Sequence, residues 1–127
     1  MEYVFLLGRV LYGGFFILGG INHFMHLDMM AGYAGFKKVP APKPAVILSG
    51  LLIIVGGLSI VTGVQPMLGV VCIAAFLIPV SFLMHTFWSD TDPQAALNNR
   101  VNFQKNIALL GAGLALLMVS QPWPLSL

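Results

Sequence analysis

Few side chains in this sequence could do chemistry, and those few lie near the ends of apolar segments. One apolar run ends with His23 and another with His85. A third apolar stretch begins with Asn102, Lys105 and Asn106. Because histidine titrates near neutral pH, the two histidines could transfer protons to a quinone or hydrogen-bond a ligand carbonyl. These five residues are the candidate ligand-binding residues.

Each of these residues also has a structural interpretation. The histidines could tie helix ends together, Lys105 could extend to the membrane interface, and Asn106 could join helices by a hydrogen bond. Haem is disfavoured because only one facing histidine pair exists and no further motif supports it. A metal usually takes three or four ligands, so we expect none. A quinone is the one cofactor that these residues suggest.

Two further polar features lie apart from this group. Arg9, inside the first apolar run, could contact a lipid phosphate, a quinone oxygen or another anion, or it could bond free backbone carbonyls. The run Asp90-Thr91-Asp92 could suggest a divalent-cation site. Because Pro93 follows it, we interpret the run instead as a turn in which Asp92 caps the next helix.

Composition predicts that these residues sit in a membrane protein. Of the 127 residues, 58% are hydrophobic and only 8% are charged, and the mean hydropathy is +0.92. Soluble domains carry roughly a quarter charged residues, so the expected solvent is the lipid bilayer. The net charge of +2 without a basic cluster argues against nucleic acid. A single cysteine, Cys72, excludes an internal disulfide.

Four apolar segments predict an all-α, four-helix up-and-down transmembrane bundle that forms one domain over residues 1–127. The first segment is too long for the apolar part of a signal peptide, so we interpret it as a span. Proline-rich VPAPKP predicts a loop before the second span, and residues 29–36 could form a short interfacial helix. The expected spans are 3–24, 45–63, 67–85 and 102–119.

Helical periodicity predicts which faces of the spans are buried. The first span carries a stripe that should face the bundle, made of Arg9, Gly13, Phe16, Gly20 and His23. The fourth span carries a second stripe, made of Asn102, Asn106, Leu109 and Gly113. Trp123, in the tail beyond the fourth span, is expected to anchor at the membrane interface.

In such a bundle the ligand candidates meet at one end, with the Lys and Arg residues of the connections. That end receives five basic residues, namely Lys37, Lys38, Lys43, Arg100 and Lys105, and the connections at the other end receive none. The positive-inside rule therefore predicts that the polar end faces the cytoplasm and that both termini lie outside.

Several motifs resemble the DoxX family along essentially the whole chain. They are Arg9, the GGINHF ending of the first run, the P-x-x-F-x-x-H-x-F-W stretch from Pro79 to Trp88, and R-x-N-F-x-K-N-I-A-L-L-G from Arg100 to Gly111. The resemblance implies a four-helix protein of a bacterial or archaeal plasma membrane. Relatives include a subunit of an archaeal thiosulfate:quinone oxidoreductase and a mycobacterial member of a membrane complex with superoxide dismutase and a sulfurtransferase. More distant relatives act as chaperone or cargo-receptor proteins.

Together these features predict an accessory subunit of a membrane-bound redox complex that binds a quinone or other lipophile in a polar pocket. A protein partner or a second copy of the chain is expected, because no self-sufficient catalytic motif is present; at most the chain is an oxidoreductase subunit. The alternative is a non-enzymatic membrane chaperone, receptor or assembly factor. A small-molecule transporter is a third candidate, and it would require dimerisation to build a path.

Overall fold

The protein is an all-α bundle, as the sequence predicts. The structure, a computed structural model, describes residues 1–127. Its helices are α1 (Glu2–Met25), α2 (Leu27–Phe36), α3 (Pro42–Thr62), α4 (Pro66–Leu83) and α5 (Pro93–Leu116), with a 3-10 turn at Phe87–Ser89 and no strand. Three segments are long and apolar enough to cross a membrane, namely α1, α3 and the stretch Pro66–Ser89 that contains α4.

Helix α1 packs along α3 through glycines. The five residues predicted to share one stripe of α1 are its buried residues, which confirms that prediction. A Cβ atom built on Gly57 of α3 would lie 2.5 Å from the carbonyl oxygen of Gly13, and one built on Gly13 would lie 2.6 Å from that of Gly57. The absence of side chains at both positions therefore lets the two backbones touch, as small residues do in membrane bundles.

The connection between α1 and α3 is more helical than the prolines suggest. The predicted short helix is present as α2, which packs against α3. Helix α3 begins at Pro42 rather than near residue 45, so part of the predicted loop is wrong. Prolines are tolerated in a first helical turn because the N–H groups there have no partner within the helix. Ala41 precedes the helix with a φ of 45°.

Helix α5 begins where the sequence predicts, but its buried face is rotated relative to the predicted polar stripe. The side chain of Asp92 accepts a hydrogen bond from the backbone N–H of Ala95 at 3.1 Å, which confirms the cap. Asn106 and Gly113 are buried as expected. Asn99 is buried with them and Asn102 is only half-buried. The buried positions are therefore seven residues apart, which returns them to one face after about two turns of helix.

Helix α5 packs against α4 and also touches α1. The Tyr12 hydroxyl donates to the carbonyl oxygen of Leu109 at 2.7 Å. A Cβ atom on Gly113 would lie 2.6 Å from that hydroxyl, so only glycine admits it. At the position of Tyr12 its partly buried hydroxyl thus joins the two helices.

The C-terminal tail folds back over the end of the bundle opposite to His23. The backbone N–H of Leu127 donates to the carbonyl of Thr62 at 2.9 Å. Trp123 is 3% exposed and belongs to the main apolar core. It packs edge-on against Phe5, with ring centroids 5.2 Å apart, and its indole N–H donates to the Val119 carbonyl. The interpretation of Trp123 as an exposed interfacial anchor is therefore wrong, because the folded tail covers it.

Candidate ligand-binding cavity

A cavity of about 490 Å³ lies between the second half of α1 and the middle of α5; we call it the central cavity. Four of the five candidate residues line it: His23, His85, Lys105 and Asn106. Asn102 does not line it. Most of the wall is apolar, contributed by α1, α2, α3 and α4 and including Phe16, Met30, Ile53, Phe76, Leu77 and Val80.

His23 is fixed by α3 from one side of its ring. Its Nδ1 atom lies 3.1 Å from the carbonyl oxygen of Val46 and 3.2 Å from the hydroxyl oxygen of Ser49. Ser49 donates its own proton to the same Val46 carbonyl. The Nε2 atom of His23 has no hydrogen bond to the protein, and no fully buried polar side-chain atom lacks a partner. Nε2 therefore reaches accessible space, and the spaces that His23 lines are the central cavity and the apolar cavity beside it.

His85 follows the last turn of α4 and is held from α5. Its Nδ1 atom lies 3.2 Å from the Oδ1 atom of Asn99. The amide nitrogen of Asn99 donates to Asp90 at 2.7 Å and to the Tyr33 hydroxyl at 3.2 Å. This arrangement fixes the His85 ring from outside the cavity and leaves Nε2 without a protein partner.

The loop before α5 contains Asp90, Thr91 and Asp92, and we call it the acidic loop. It carries a buried ion pair that the sequence did not reveal. Lys37 donates to Asp90 at 2.7 Å and to the Thr86 hydroxyl at 2.9 Å. Their side chains are only 7% and 11% exposed. Lys37 is therefore part of the structure around His85, beyond any role as a basic residue that sets topology. Hydrogen bonds, first from Lys37 and then from Asn99, hold the pKa of the Asp90 carboxyl below its ordinary value.

This ion pair predicts a specific acid sensitivity. Because the folded-state pKa of Asp90 is lowered, the pair stabilises the fold above the ordinary pKa of about 3.8. That contribution is lost as the pH falls through the lowered pKa. We expect Asp90→Asn to lower the melting temperature at neutral pH and to flatten its fall below about pH 4. Thermal unfolding of both proteins in the same detergent across pH measures this, and parallel pH profiles would contradict it.

Asn106 is a buried polar residue that lines the central cavity. It is 6% exposed, and no side-chain hydrogen bond within the protein involves it. Because no fully buried polar atom lacks a partner, its amide reaches accessible space. An amide in that position can both donate and accept, so its pairing must come from whatever fills the cavity. Lys105, on the same wall, bonds Asn102 at 3.3 Å and lies over the Phe15 ring at 5.4 Å. Asn102 thus contributes indirectly, as a partner of Lys105.

A second, almost wholly apolar cavity of about 280 Å³ adjoins the first; we call it the side cavity. It lies between α3 and α4 and shares five residues with the central cavity, namely His23, Met30, Phe76, Val80 and Met84. Leu48 and Leu83, at its edge, are largely exposed on the outer surface of the bundle. The apolar tail of a ligand could therefore extend from the central cavity through the side cavity toward lipid.

An aromatic cluster fixes the loop that carries His85. Phe82, Phe87, Trp88 and Phe103 pack mutually, with ring centroids between 5.1 and 6.4 Å apart. Arg100 lies over the Phe87 ring at 5.3 Å. Such stacked and edge-on contacts favour one arrangement of the loop. The aromatic residues of two of the motifs therefore pack together beside the loop that carries His85.

Arg9 lies at the opposite end of the bundle and does not face the central cavity. It is 1% exposed and donates to the backbone carbonyls of Ile60, Val61, Pro124 and Leu125. Its guanidinium lies 5.5 Å from the Phe5 ring and 5.6 Å from the Trp123 ring. These contacts match the structural interpretation, in which Arg9 bonds free carbonyls. A lipid phosphate or anion would have to displace them.

Sequence reasoning missed Asn99, Tyr33 and Lys37, which surround His85. Asn99 could have been found from its spacing, because it stands seven residues before Asn106. No local pattern links Lys37 with Asp90, which are 53 residues apart. Their pairing depends on how α2 folds back toward the loop after α4.

Comparison with known proteins gives one match. The family model described as DoxX matches residues 4–86, which is more than half of the chain. No curated protein and no solved structure matches the chain. The matched range includes His23 and His85 and ends before Asn99, Lys105 and Asn106.

Proposed function

Because the chain belongs to the DoxX family of membrane proteins, we propose that it is an accessory subunit of a membrane-bound redox complex. In this role it holds a quinone or another lipophile in the central cavity and presents it to a partner protein. The chain supplies the binding site, and the partner supplies the remaining redox centre. The family match supports membrane residence, and the cavity supports the ligand class.

The observation that carries the proposal is a set of unpaired polar groups inside an apolar cavity. None of the protein's side-chain hydrogen bonds uses the Asn106 amide or the Nε2 atoms of His23 and His85, and all three residues line the central cavity. Because no fully buried polar atom lacks a partner, these groups reach accessible space and are open to a ligand. Unpaired polar groups are costly in such surroundings, so proteins seldom leave them without a ligand or water. A lipophile with a polar head would satisfy these groups.

The size and shape of the two cavities favour a ligand with a ring and a tail. Ligand pockets generally measure about 300–1,000 Å³, and the central cavity measures about 490 Å³. Its polar groups suit the oxygens of a ring, and the apolar side cavity suits the start of an isoprenoid or alkyl tail. The remainder of the tail would lie in the bilayer beside Leu48 and Leu83.

The charge distribution supports a cytoplasmic position for this end of the bundle. Lys37, Lys38, Lys43, Arg100 and Lys105 belong to the same end as His23 and His85. By the positive-inside rule that end faces the cytoplasm of a bacterial or archaeal cell, with both termini and the Gly63–Pro66 turn outside and α5 as the fourth span.

Substitution of Asn106 tests the proposal directly. We expect Asn106→Leu to weaken binding of a short-tailed quinone by about tenfold, because one ligand hydrogen bond is lost in an apolar cavity. Asn98→Leu, on the same helix, is the matched control, because Asn98 is exposed, hydrogen-bonds Gln94 and does not line the cavity. Quenching of intrinsic tryptophan fluorescence or equilibrium dialysis of the detergent-solubilised protein gives the affinities. If the wild-type protein binds neither a quinone nor its hydroquinone and carries neither on purification, the proposal fails.

A second candidate, a non-enzymatic membrane chaperone, receptor or assembly factor, is favoured by a different feature. A polar recess of about 500 Å³ opens beside the acidic loop and is lined by Lys38, Thr86, Ser89, Asp92 and neighbouring residues. Such a recess could receive a polar group of a partner protein. Replacing both His23 and His85 should abolish quinone-linked respiration under the first proposal and leave complex assembly intact under the second.

A further inference from the structure

We infer that the central cavity selects the hydroxyl-bearing, reduced form of its ligand, a lipophilic hydroquinone or a related phenol, over the corresponding quinone. The inference rests on the proposed function and adds which oxidation state the site holds. It follows from which nitrogen of each histidine carries the proton.

Contacts with α3 determine which nitrogen of the His23 ring carries the proton. The Val46 carbonyl oxygen, 3.1 Å from Nδ1, can only accept a hydrogen bond, so Nδ1 must donate. The Ser49 hydroxyl, which gives its proton to the same carbonyl, accepts a second contact from that N–H. In the neutral ring Nε2 is then a bare acceptor. That acceptor is the atom without a protein partner in the cavity.

His85 has the same assignment through a different partner. The amide nitrogen of Asn99 bonds the Asp90 carboxylate, which accepts only, so the other Asn99 atom facing His85 is the carbonyl oxygen Oδ1. Nδ1 of His85 must therefore donate to it. Asp90 is in turn held by Lys37, which fixes the orientation of the amide. Nε2 of the neutral His85 ring is a second bare acceptor on the cavity.

In its neutral form each imidazole has one donor nitrogen and one acceptor nitrogen. Two neutral histidines then present acceptors that only an O–H or N–H of the ligand can satisfy. A quinone offers carbonyl oxygens, which are also acceptors, and would leave both nitrogens unpaired. A hydroquinone can donate to them. Asn106 and Lys105 remain available to donate to the ligand's other oxygens.

The test compares four probes that share one alkyl tail. They are a decyl hydroquinone kept reduced under anaerobic conditions, its quinone, its dimethyl ether and a decylphenol. Binding is measured to the full chain in detergent or nanodiscs. We expect the hydroquinone to bind at least about tenfold more tightly than the quinone. The reason is that only the hydroquinone can donate hydrogen bonds to the two histidine acceptors. The dimethyl ether, which keeps the ring but has no O–H, should bind as weakly as the quinone.

The matched variants are His23→Asn and His85→Asn, combined in one protein. An asparagine amide can still donate to Val46 or Asn99 from the position of Nδ1, and it lacks the acceptor at Nε2. We expect the double variant to remain folded by circular dichroism and size-exclusion chromatography and to lose the preference for the hydroquinone. Single variants identify which histidine accepts the hydroxyl if the double variant does not fold.

The outcomes separate this inference from the proposed function. Equal affinities for quinone and hydroquinone, or a preference for the quinone, overturn the inference and leave quinone binding in place. If no probe binds, the proposed function fails and the inference with it. Decylphenol that binds as tightly as the hydroquinone supports the inference and assigns the selectivity to a single hydroxyl.

Discussion

Arg9→Met is expected to destabilise the protein by about 3 kcal/mol or more, because four carbonyl bonds from one buried cation are lost. The guanidinium joins the end of α3, at Ile60 and Val61, to the tail at Pro124 and Leu125. Without it these carbonyls lose their charged donor, and the tail that covers Trp123 should detach. The melting temperature should fall by on the order of 10 °C. Protease cleavage after the Leu116 end of α5 should become faster.

Two further variants establish that geometry, and not charge alone, makes Arg9 important. Arg9→Lys keeps the charge and loses the planar fork that reaches two segments at once, so it should recover only part of the lost stability. Arg100→Met removes an exposed arginine that stacks on Phe87. It should change the melting temperature by a few degrees at most. An Arg9→Met protein as stable as wild type would contradict the assignment of Arg9 as the residue that fastens the tail.

Gly13→Val is expected to separate α1 from α3 and to destabilise the bundle by about 3 kcal/mol, the upper end of the cost of overpacking. The added Cβ atom would meet the Gly57 carbonyl oxygen at 2.6 Å and a methyl group of Val61 at 2.7 Å. The carbonyl belongs to the α3 backbone, so the collision can be relieved only by moving a whole helix. Thermal unfolding followed by circular dichroism measures the loss.

The neighbouring glycine provides the matched control for this substitution. A Cβ atom on Gly14 has nothing within 4 Å, so Gly14→Val adds the same side chain to the same helix turn without a collision. We expect Gly14→Val to melt close to the wild type. If both variants lose stability equally, helix propensity and not the α1–α3 contact would be the cause, and close packing of the two glycines would be refuted.

The Arg9 prediction concerns the end of the bundle at which α3 finishes, and the Gly13 prediction concerns its middle. The ligand proposals concern the end at which His23 and His85 lie. Arg9 and the tail close the end at which α3 finishes. The central cavity lies between the second half of α1 and the middle of α5. Variants of Arg9 can therefore test stability while His23 and His85 keep their partners, and variants of Asn106 can test binding while the tail stays in place.

The sequence by itself determined the class of fold and the buried face of the first helix. Hydropathy over segments of about twenty residues identifies spans because lipid cannot satisfy exposed backbone groups. The spacing of Arg9, Gly13, Phe16, Gly20 and His23 follows helical periodicity, a local property, and these residues are the ones buried. The Asp92 cap could also be predicted from the sequence, since a capping residue and its helix are adjacent in the chain.

Other features depended on contacts between distant segments, and there the sequence was insufficient. Trp123 is buried because the tail folds back onto Arg9 and Phe5, which lie more than a hundred residues earlier. The early start of α3 at Pro42 shows that the position of a proline within a helix turn matters more than its presence. Asn99 replaced Asn102 on the buried face because α5 is rotated to present Asn99 to His85.

The candidate site shows the same division. Residue type and order along the chain identified His23, His85, Lys105 and Asn106 as residues at one end of the bundle. Which histidine nitrogen has a protein partner depends on the tertiary structure, since Val46 contacts Nδ1 of His23 and the Asn99–Asp90–Lys37 network contacts Nδ1 of His85. Proton position depends on hydrogen-bond partners brought together by folding, and a sequence pattern has no access to it.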